Sequence, residues 1–524
     1  MLSIGLILYE RLRTKPAFEV RPKLPELPIV GAREGEWFPM LRAMWRNSID
    51  VRTATQAAYL LKDQLCLLPI IDLGRTVIIP STEINWYLDQ PDSDINTRDH
   101  LADAFQLHWT LTDPRLVEDD RPIHHQLIST KLTREINNLL PVLAGDIPSS
   151  LSDAWGTDTE NFKEICLMDD LPHVVGRVVN LAFVGSPTCY NNAMVNNAIS
   201  FARSLALTAI VLRIMPQTLR PLLAPLVTLP QRMATLRFFN ELRPEVNRRM
   251  RELFANPGSA SNSNDFLQWT IDAAVQSGDP YMMKPDTIMG RVLLLNFLSI
   301  HTSTLALTHV LLDLAASSPT VIEELRNEIA TAMEAHGGEW SKRTLGDMPK
   351  LDSVFRESQR LNPPALIGSP KLVTAPKGVT TPSGIHLHYG TYLAILGYPT
   401  LRDPNLYPEP ETFKPFRFAK LYEAADKEGL KLEKARLGWA ATSKTYSTFG
   451  AGRHACPGRF FASTSVKVFL AYMLMNYDIE KMPERPTTPS VGMALLPPLK
   501  ATIRFKRRKD PVYNLGQATV SSLE

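Results

Sequence analysis

Cysteine is scarce. Cys66, Cys166, Cys189 and Cys456 are the only four in 524 residues. No two stand at C-x-x-C spacing, which argues against a structural zinc site, and so few thiols in so long a chain fit a reducing compartment. There is no Asn-x-Ser/Thr sequon, in keeping with a body that faces the cytosol. A large excess of charge of either sign is missing too. The formal net charge is +3, and the only long basic run, Lys506-Arg507-Arg508-Lys509, reads as a solvated tail, so nothing points to a nucleic-acid partner. No internal repeat is evident.

Proline, by contrast, is plentiful. Its 41 copies imply many helix breaks and loops rather than a few long smooth elements. The N-terminal run Met1-Leu2-Ser3-Ile4-Gly5-Leu6-Ile7-Leu8-Tyr9 is far short of the ~20 residues that span a bilayer and lacks a small-residue cleavage site. Residues 1–15 are either a buried segment or the stub of a membrane anchor with basic residues on the cytosolic side. Residues 16–31, with Pro16, Pro22, Pro25 and Pro28, read as a stiff extended connector. A single body over 32–509 and a tail over 510–524 follow.

Within the body, Leu67–Ile71 and Thr76–Pro80 predict a hairpin around Gly74. A helix is expected from Arg121 to Arg134, and mostly helix from Leu139 to Arg251. The apolar, proline-interrupted stretch Leu205–Leu229 admits two readings: core helices with a kinked loop, or a surface loop dipping into a lipid face. Asn256–Asn264 reads as a loop. From Lys284 to about Ala316 runs a helix that is apolar on nearly all sides, which places it through the middle of the protein. Helices over Thr320–His336 and Leu351–Leu361 follow, then short strands, proline-rich irregular chain over Asp403–Phe418, and strand or hairpin over Val491–Phe505. The fold class is mostly α with small β sheets.

Chemistry concentrates in Phe449-Gly450-Ala451-Gly452-Arg453-His454-Ala455-Cys456-Pro457-Gly458-Arg459. Cys66, Cys166 and Cys189 are best read as small buried hydrophobes. Cys456 differs through its neighbours. Gly450, Gly452 and Gly458 permit tight turns close to a flat ligand, and a helix starting after Pro457 presents its first amides and positive dipole end to the sulfur. Both are expected to lower the thiol pKa. A single thiolate donor suits iron in a porphyrin.

The order Phe449, Gly452, His454, Cys456, Gly458 resembles the ligand loop of the cytochrome P450 superfamily, the heme-thiolate monooxygenases, and the extended run to Ala462 is similar to members from filamentous fungi. The resemblance implies the P450 fold, with heme b between a long central helix and the Cys456 loop. It implies Cys456 as the axial iron ligand and contacts from Phe449, Gly458, His454, His125 and Lys371. A histidine facing a heme carboxylate would have its pKa raised. The family's Glu-x-x-Arg matches Glu357-Ser358-Gln359-Arg360. That spacing alone means little, since Glu10/Arg13, Glu118/Arg121, Glu245/Arg248, Glu323/Arg326 and Glu433/Arg436 share it, each worth roughly a few tenths of a kcal/mol as a helical pair. Arg417 stands where the family completes a structural triad with Glu357 and Arg360.

In the central helix the polar run Ser299-Ile300-His301-Thr302-Ser303-Thr304 breaks the apolar pattern. Hydroxyls bonding back to the preceding turn are the ordinary explanation. The resemblance instead gives Thr302, with His301 beside it, a role in moving protons to bound oxygen. His301, His454 and His125 stand where the family usually carries a carboxylate, an arginine and a tryptophan.

The implied reaction inserts one oxygen atom from dioxygen into a lipophilic small molecule and reduces the other to water. No flavin or dinucleotide Gly-rich fingerprint is evident. Electrons would therefore come from NADPH-cytochrome P450 reductase, with cytochrome b5 as an optional second donor, docking on Arg453, Arg459 and Lys467. A monomer on the cytosolic face of the endoplasmic reticulum membrane is expected. Two rivals remain: a heme-thiolate isomerase, dehydratase or peroxide user, and a non-catalytic heme carrier.

Overall fold

The computed structural model describes residues 24–118, 122–255 and 263–509. The apolar N-terminal segment, the first half of the proline connector, the Glu118/Arg121 pair, most of the Asn256–Asn264 loop and the 510–524 tail lie outside the described residues.

A central helix, Pro285–Ala315, runs through the body. Proline at its first turn has no amide to leave unbonded, and Ser318-Pro319 ends the run by starting the next helix, Pro319–Ala335. Because almost every face is apolar, almost every face is covered. Helices Leu167–Phe183, Asn192–Ile214, Leu229–Ala255 and Pro349–Leu361 all pack against it, and Leu307, Val310, Leu311 and Leu314 sit in the main core. Its length and hydropathy would suit a membrane span, but most of it is buried against neighbouring helices, as in a core helix.

The hairpin forms as expected. Cys66–Ile70 pairs antiparallel with Gly74–Ile78, and Gly74 takes φ 73°, which a side chain would resist. Tyr392–Ile395, Gly368–Val373 and Ile95–Asn96 extend it to a five-stranded sheet. A three-stranded sheet joins Lys163–Cys166, Thr502–Arg507 and Tyr477–Ile479. Its first strand lies inside the stretch expected to be helical. It forms because the C-terminal strand supplies ladder partners more than 300 residues away, secured by Trp155 stacked on Phe505 at 4.4 Å.

The helix expected over Arg121–Arg134 is broken by a widened turn. Ile123–Leu127 is α, Ile128–Leu132 is π, and Thr133–Trp155 resumes the α form well past Leu139. The cause is local: the Ser129 and Thr130 hydroxyls both donate to the Gln126 carbonyl, at 3.1 and 2.8 Å, and Thr133 donates to that of Ile128. The proline-interrupted stretch resolves into the end of Asn192–Ile214, a short helix Arg220–Val227 and the start of Leu229–Ala255. It is far from fully buried. Leu207, Ile214, Leu222, Leu226 and Leu236 are all exposed.

Candidate active site

The Cys456 loop is closed by its own backbone. The Cys456 amide donates to the Phe449 carbonyl at 2.7 Å, and Gly450 and Gly452 take positive φ to make the return. The helix Arg459–Asn476 begins three residues on. Cys456 is an exposed residue, yet burial among surrounding groups is the largest influence on its thiol. That combination marks a side chain opening onto a recess rather than onto bulk water. Burial raises the thiol pKa; the amides of Gly458 and Arg459 and the Arg459 charge pull the other way and lose. The expected lowering by the helix terminus is therefore outweighed in the chain alone, and a bound metal ion is what would deprotonate the sulfur outright.

Behind the loop lies the Glu357 cluster. Arg360 Nε and Nη2 donate to the two Glu357 oxygens at 2.8 and 3.0 Å, with both side chains fully buried. Arg417 Nε donates to both oxygens of the same carboxylate at 3.0 Å, and the Lys414 amide adds a further bond at 3.1 Å. Arg360 and Arg417 spend their remaining donors on the carbonyls of Leu401, Pro410, Pro408 and Glu409. A carboxylate this well paired tolerates burial. The Glu245/Arg248 and Glu323/Arg326 pairs form as well, but each keeps a partly exposed partner.

Sequence reasoning missed how this helix grips the loop. Gln359 Oε1 accepts from Trp439 Nε1 at 2.6 Å and from Thr448 Oγ1 at 3.3 Å. Trp439 in turn stacks on Phe355 at 4.3 Å and meets Phe449 at 5.5 Å. The two middle positions of Glu357-Ser358-Gln359-Arg360 carry no signal of this in sequence.

A basic group forms at the loop's other side. Lys371 is fully buried, and its Nζ has only the Tyr87 carbonyl at 3.2 Å and the Tyr87 ring at 4.7 Å; it makes no ion pair among the described residues. Burial and Arg453 push its pKa down to about 8. His454 Nε2 lies 2.8 Å from Asp92 Oδ1 but is not aligned to hydrogen-bond with it. Its pKa is lowered, by burial first and then by Lys371, while Asp92 pulls it the other way. His125 is exposed, with no polar contact among the described residues; the buried member of the pair is His124, whose pKa falls to about 3 through burial and Arg291.

On the central helix, Thr302 is exposed and its hydroxyl donates to the Leu298 carbonyl at 2.8 Å. His301 points elsewhere. It sits against Ile199 and near Arg203 of the neighbouring helix, and burial lowers its pKa. The structure therefore separates the two residues that the sequence pairs. Thr302 and Gln359 line one small cavity, so the Thr302 face and the anchorage of the Cys456 loop share a wall. Lys467, expected on a docking face, is buried against Asp352 at 3.0 Å and is not available there. Arg459 bends back to the Cys456 carbonyl at 2.9 Å.

The cytochrome P450 family model matches residues 119–505. The chain is 29% identical over 495 residues to the cytochrome P450 monooxygenase gloP of Glarea lozoyensis, covering 91% of this chain and 90% of that one. It is 31% identical over 520 residues to cytochrome P450 monooxygenase 103 of Postia placenta, covering 97% of each. Among solved structures, retinoic acid-bound cyanobacterial CYP120A1 superposes with a TM-score of 0.66 at 19% identity, covering 93% of this chain and all of that one. The chain belongs to the cytochrome P450 family, the heme-thiolate monooxygenases.

The residues fit heme. Gly458 stands beside the sulfur: a Cβ there would make ordinary contacts, 4.0 Å from Cys456 Sγ and 3.8 Å from Ile128 Cγ2. Lys371 is a buried cation short of an anion, and heme carries two carboxylates that suit it. Cys456 would hold the iron, with Lys371 and His454 on the carboxylate side. Bound heme supplies the activation of dioxygen; the chain holds, shields and orients.

Proposed function

We propose that this monooxygenase inserts one oxygen atom into a lipophilic secondary metabolite, such as a terpenoid, indole alkaloid or polyketide, with electrons from NADPH passed by a separate reductase. The observation that carries the reading is the face around Thr302. Leu298, one turn before it, is exposed, and Leu305 and Ala306, one turn after it, are half-buried, so Thr302 is the one exposed hydroxyl on this apolar stretch of the helix. Such a face suits a substrate without charge. Arg453 and Arg459 remain as cations for a reductase.

Attachment to the endoplasmic reticulum membrane is part of the proposal. Trp37, Leu41, Trp45 and Ile49 recur every fourth residue, on and just before helix Pro39–Ile49, and all four are exposed, Trp37 at 79%. Two tryptophans in an exposed apolar stripe suit the lipid interface, as do Leu207, Ile214, Leu222 and Leu226.

The test combines the purified full chain with NADPH-cytochrome P450 reductase and a panel of the three metabolite classes. NADPH-dependent oxygenated product supports the reading. Turnover that needs only hydrogen peroxide, or rearrangement without a reductase, overturns it. Flotation with phosphatidylcholine–phosphatidylserine vesicles tests the membrane part, which fails if the chain stays wholly unbound.

A further inference from the structure

Two turns from opposite ends of the chain meet at one carboxylate. The hairpin Cys66–Ile70 with Gly74–Ile78 reverses through Ile71-Asp72-Leu73. Near the C-terminus, Ser490 pairs with Leu495 and Val491 with Ala494, which leaves Gly492 and Met493 as a two-residue turn. Gly492 takes φ 55° and Met493 does not share the positive φ, the pattern of a type II′ hairpin turn. Asp72 sits on this turn. Its Oδ2 accepts from the Met493 amide at 3.0 Å, and a Cβ at Gly492 would overlap the same oxygen. Glycine is therefore required twice, for its φ and for the room it leaves. An ionised acceptor makes the bond to Met493 one of the stronger kinds.

The turn carries more than itself. The Met493 carbonyl takes the Leu366 amide at 2.9 Å, and Ala494 bridges to Ala365. These bonds reach residues 363–367, the chain that leaves the Glu357 helix. Pro364 and Ala365 are exposed there, although Pro363, Leu366 and Ile367 around them are buried, so the two open onto a recess as Cys456 does. Pro364 and Leu495 line the cavity that Thr302 lines. Both pieces of chain that share this cavity with Thr302 thus hang from one turn. Nothing else holds the turn as tightly from outside: Val491 is exposed, and Gly492, Met493 and Ala494 are half-buried.

We propose that Asp72 is a positioning residue for the substrate-side wall: through the Gly492-Met493 turn it sets how close Leu495 and Pro364 stand to Thr302, and with that the largest group admitted there. Asp72 does not line the cavity; it acts through the Met493 backbone. Without the carboxylate the half-buried tip draws back and the space widens. The proposal rests on the reading of the Thr302 face as the side where substrate meets oxygen.

The test uses the ferric full-chain holoenzyme and two probes whose ring nitrogen binds heme iron and shifts the Soret band. Imidazole is too small to meet the wall; 4-phenylimidazole carries a phenyl ring that must pass it. Asp72→Ala should bind imidazole as wild type does and 4-phenylimidazole several-fold tighter. Asp72→Asn keeps an oxygen that accepts from the Met493 amide, and should bind both probes as wild type does. Hydrogen exchange in Asp72→Ala should quicken at the Met493 and Leu366 amides and stay unchanged around Cys456. An unchanged or weaker 4-phenylimidazole affinity, an equal change for both probes, or Asp72→Asn behaving as Asp72→Ala overturns the proposal. If Asp72→Ala loads no heme, Gly492→Ala displaces the carboxylate instead and must show the same selective gain; without that gain the proposal fails. Thr302→Ile should weaken 4-phenylimidazole more than imidazole. If it does not, while Asp72→Ala behaves as described, the role of Asp72 stands and it is the reading of the Thr302 face that fails.

Discussion

The indole N–H of Trp439 donates to Gln359 Oε1 at 2.6 Å, and through that bond the helix carrying Glu357 and Arg360 holds the Cys456 loop. Gln359 also takes the hydroxyl of Thr448, and Trp439 also meets the ring of Phe449. Gln359→Leu leaves a buried indole N–H without its acceptor, a cost of about 1–3 kcal/mol. The variant should melt earlier and release heme faster. Because replacing both polar partners is closer to neutral, adding Trp439→Phe should return part of that loss. Thermal melts and heme transfer to apomyoglobin read both effects; strictly additive losses would show that the bond does not couple the two elements.

Arg417 should matter for assembly rather than for chemistry. Its Nε shares the buried Glu357 carboxylate with Arg360. Removing one partner from a buried charge cluster costs about 3–5 kcal/mol. Arg417→Met should therefore yield little heme-loaded protein, and what folds should turn over at close to the normal rate per heme. A loaded variant with normal stability and lost turnover would reassign Arg417 to the reaction.

Lys371 gives a pH dependence with a definite sign. Its pKa in the folded chain is about 8, below the ordinary lysine value of 10.5, because burial and Arg453 outweigh Asp92 and Asp89; His454 lies close as well. Between those values the unfolded chain binds more protons than the folded one, so stability rises with pH through that window. The cost of the buried cation is present below about pH 8 and is relieved as pH climbs toward 10.5. Heme-free wild type should gain on Lys371→Met by no more than about 3 kcal/mol over that range. Denaturant melts at pH 7.5 and 10 check this. With heme bound, Lys371→Met should weaken heme retention instead.

Thr302 is the exposed hydroxyl on an otherwise apolar face. Thr302→Ala should leave substrate binding intact and send more electrons to hydrogen peroxide, lowering product per NADPH. Unchanged coupling would mean that oxygen is protonated by another route. His301 is a poor candidate for that route, since it faces Ile199 and Arg203.

What could be read from sequence was local. The Cys456 loop announces itself because three glycines, a cysteine and a helix start fall within a dozen residues. Central-helix bounds were legible from Pro285 and Ser318-Pro319. Arg417 lies 60 residues from Glu357 and was found only through family resemblance. Contacts that depend on the whole fold left no trace. Trp439 and Gln359 are 80 residues apart, and His309 and Arg485 are 176 apart. The strand Lys163–Cys166 looked helical because its partner lies at the far end of the chain. Lys467 read as a surface cation, yet its helix turns it inward to Asp352. Desolvation is also invisible in sequence. It reverses the expected shift of Cys456, where the neighbouring charge and amides alone would have pointed the other way.

The most direct measurement is the absorption spectrum of the carbon monoxide complex of the reduced protein. Wild type should give the red-shifted Soret band of a thiolate-bound heme, and Cys456→Ala should abolish it. A variant that keeps the wild-type band would contradict the assignment of Cys456 as the iron ligand.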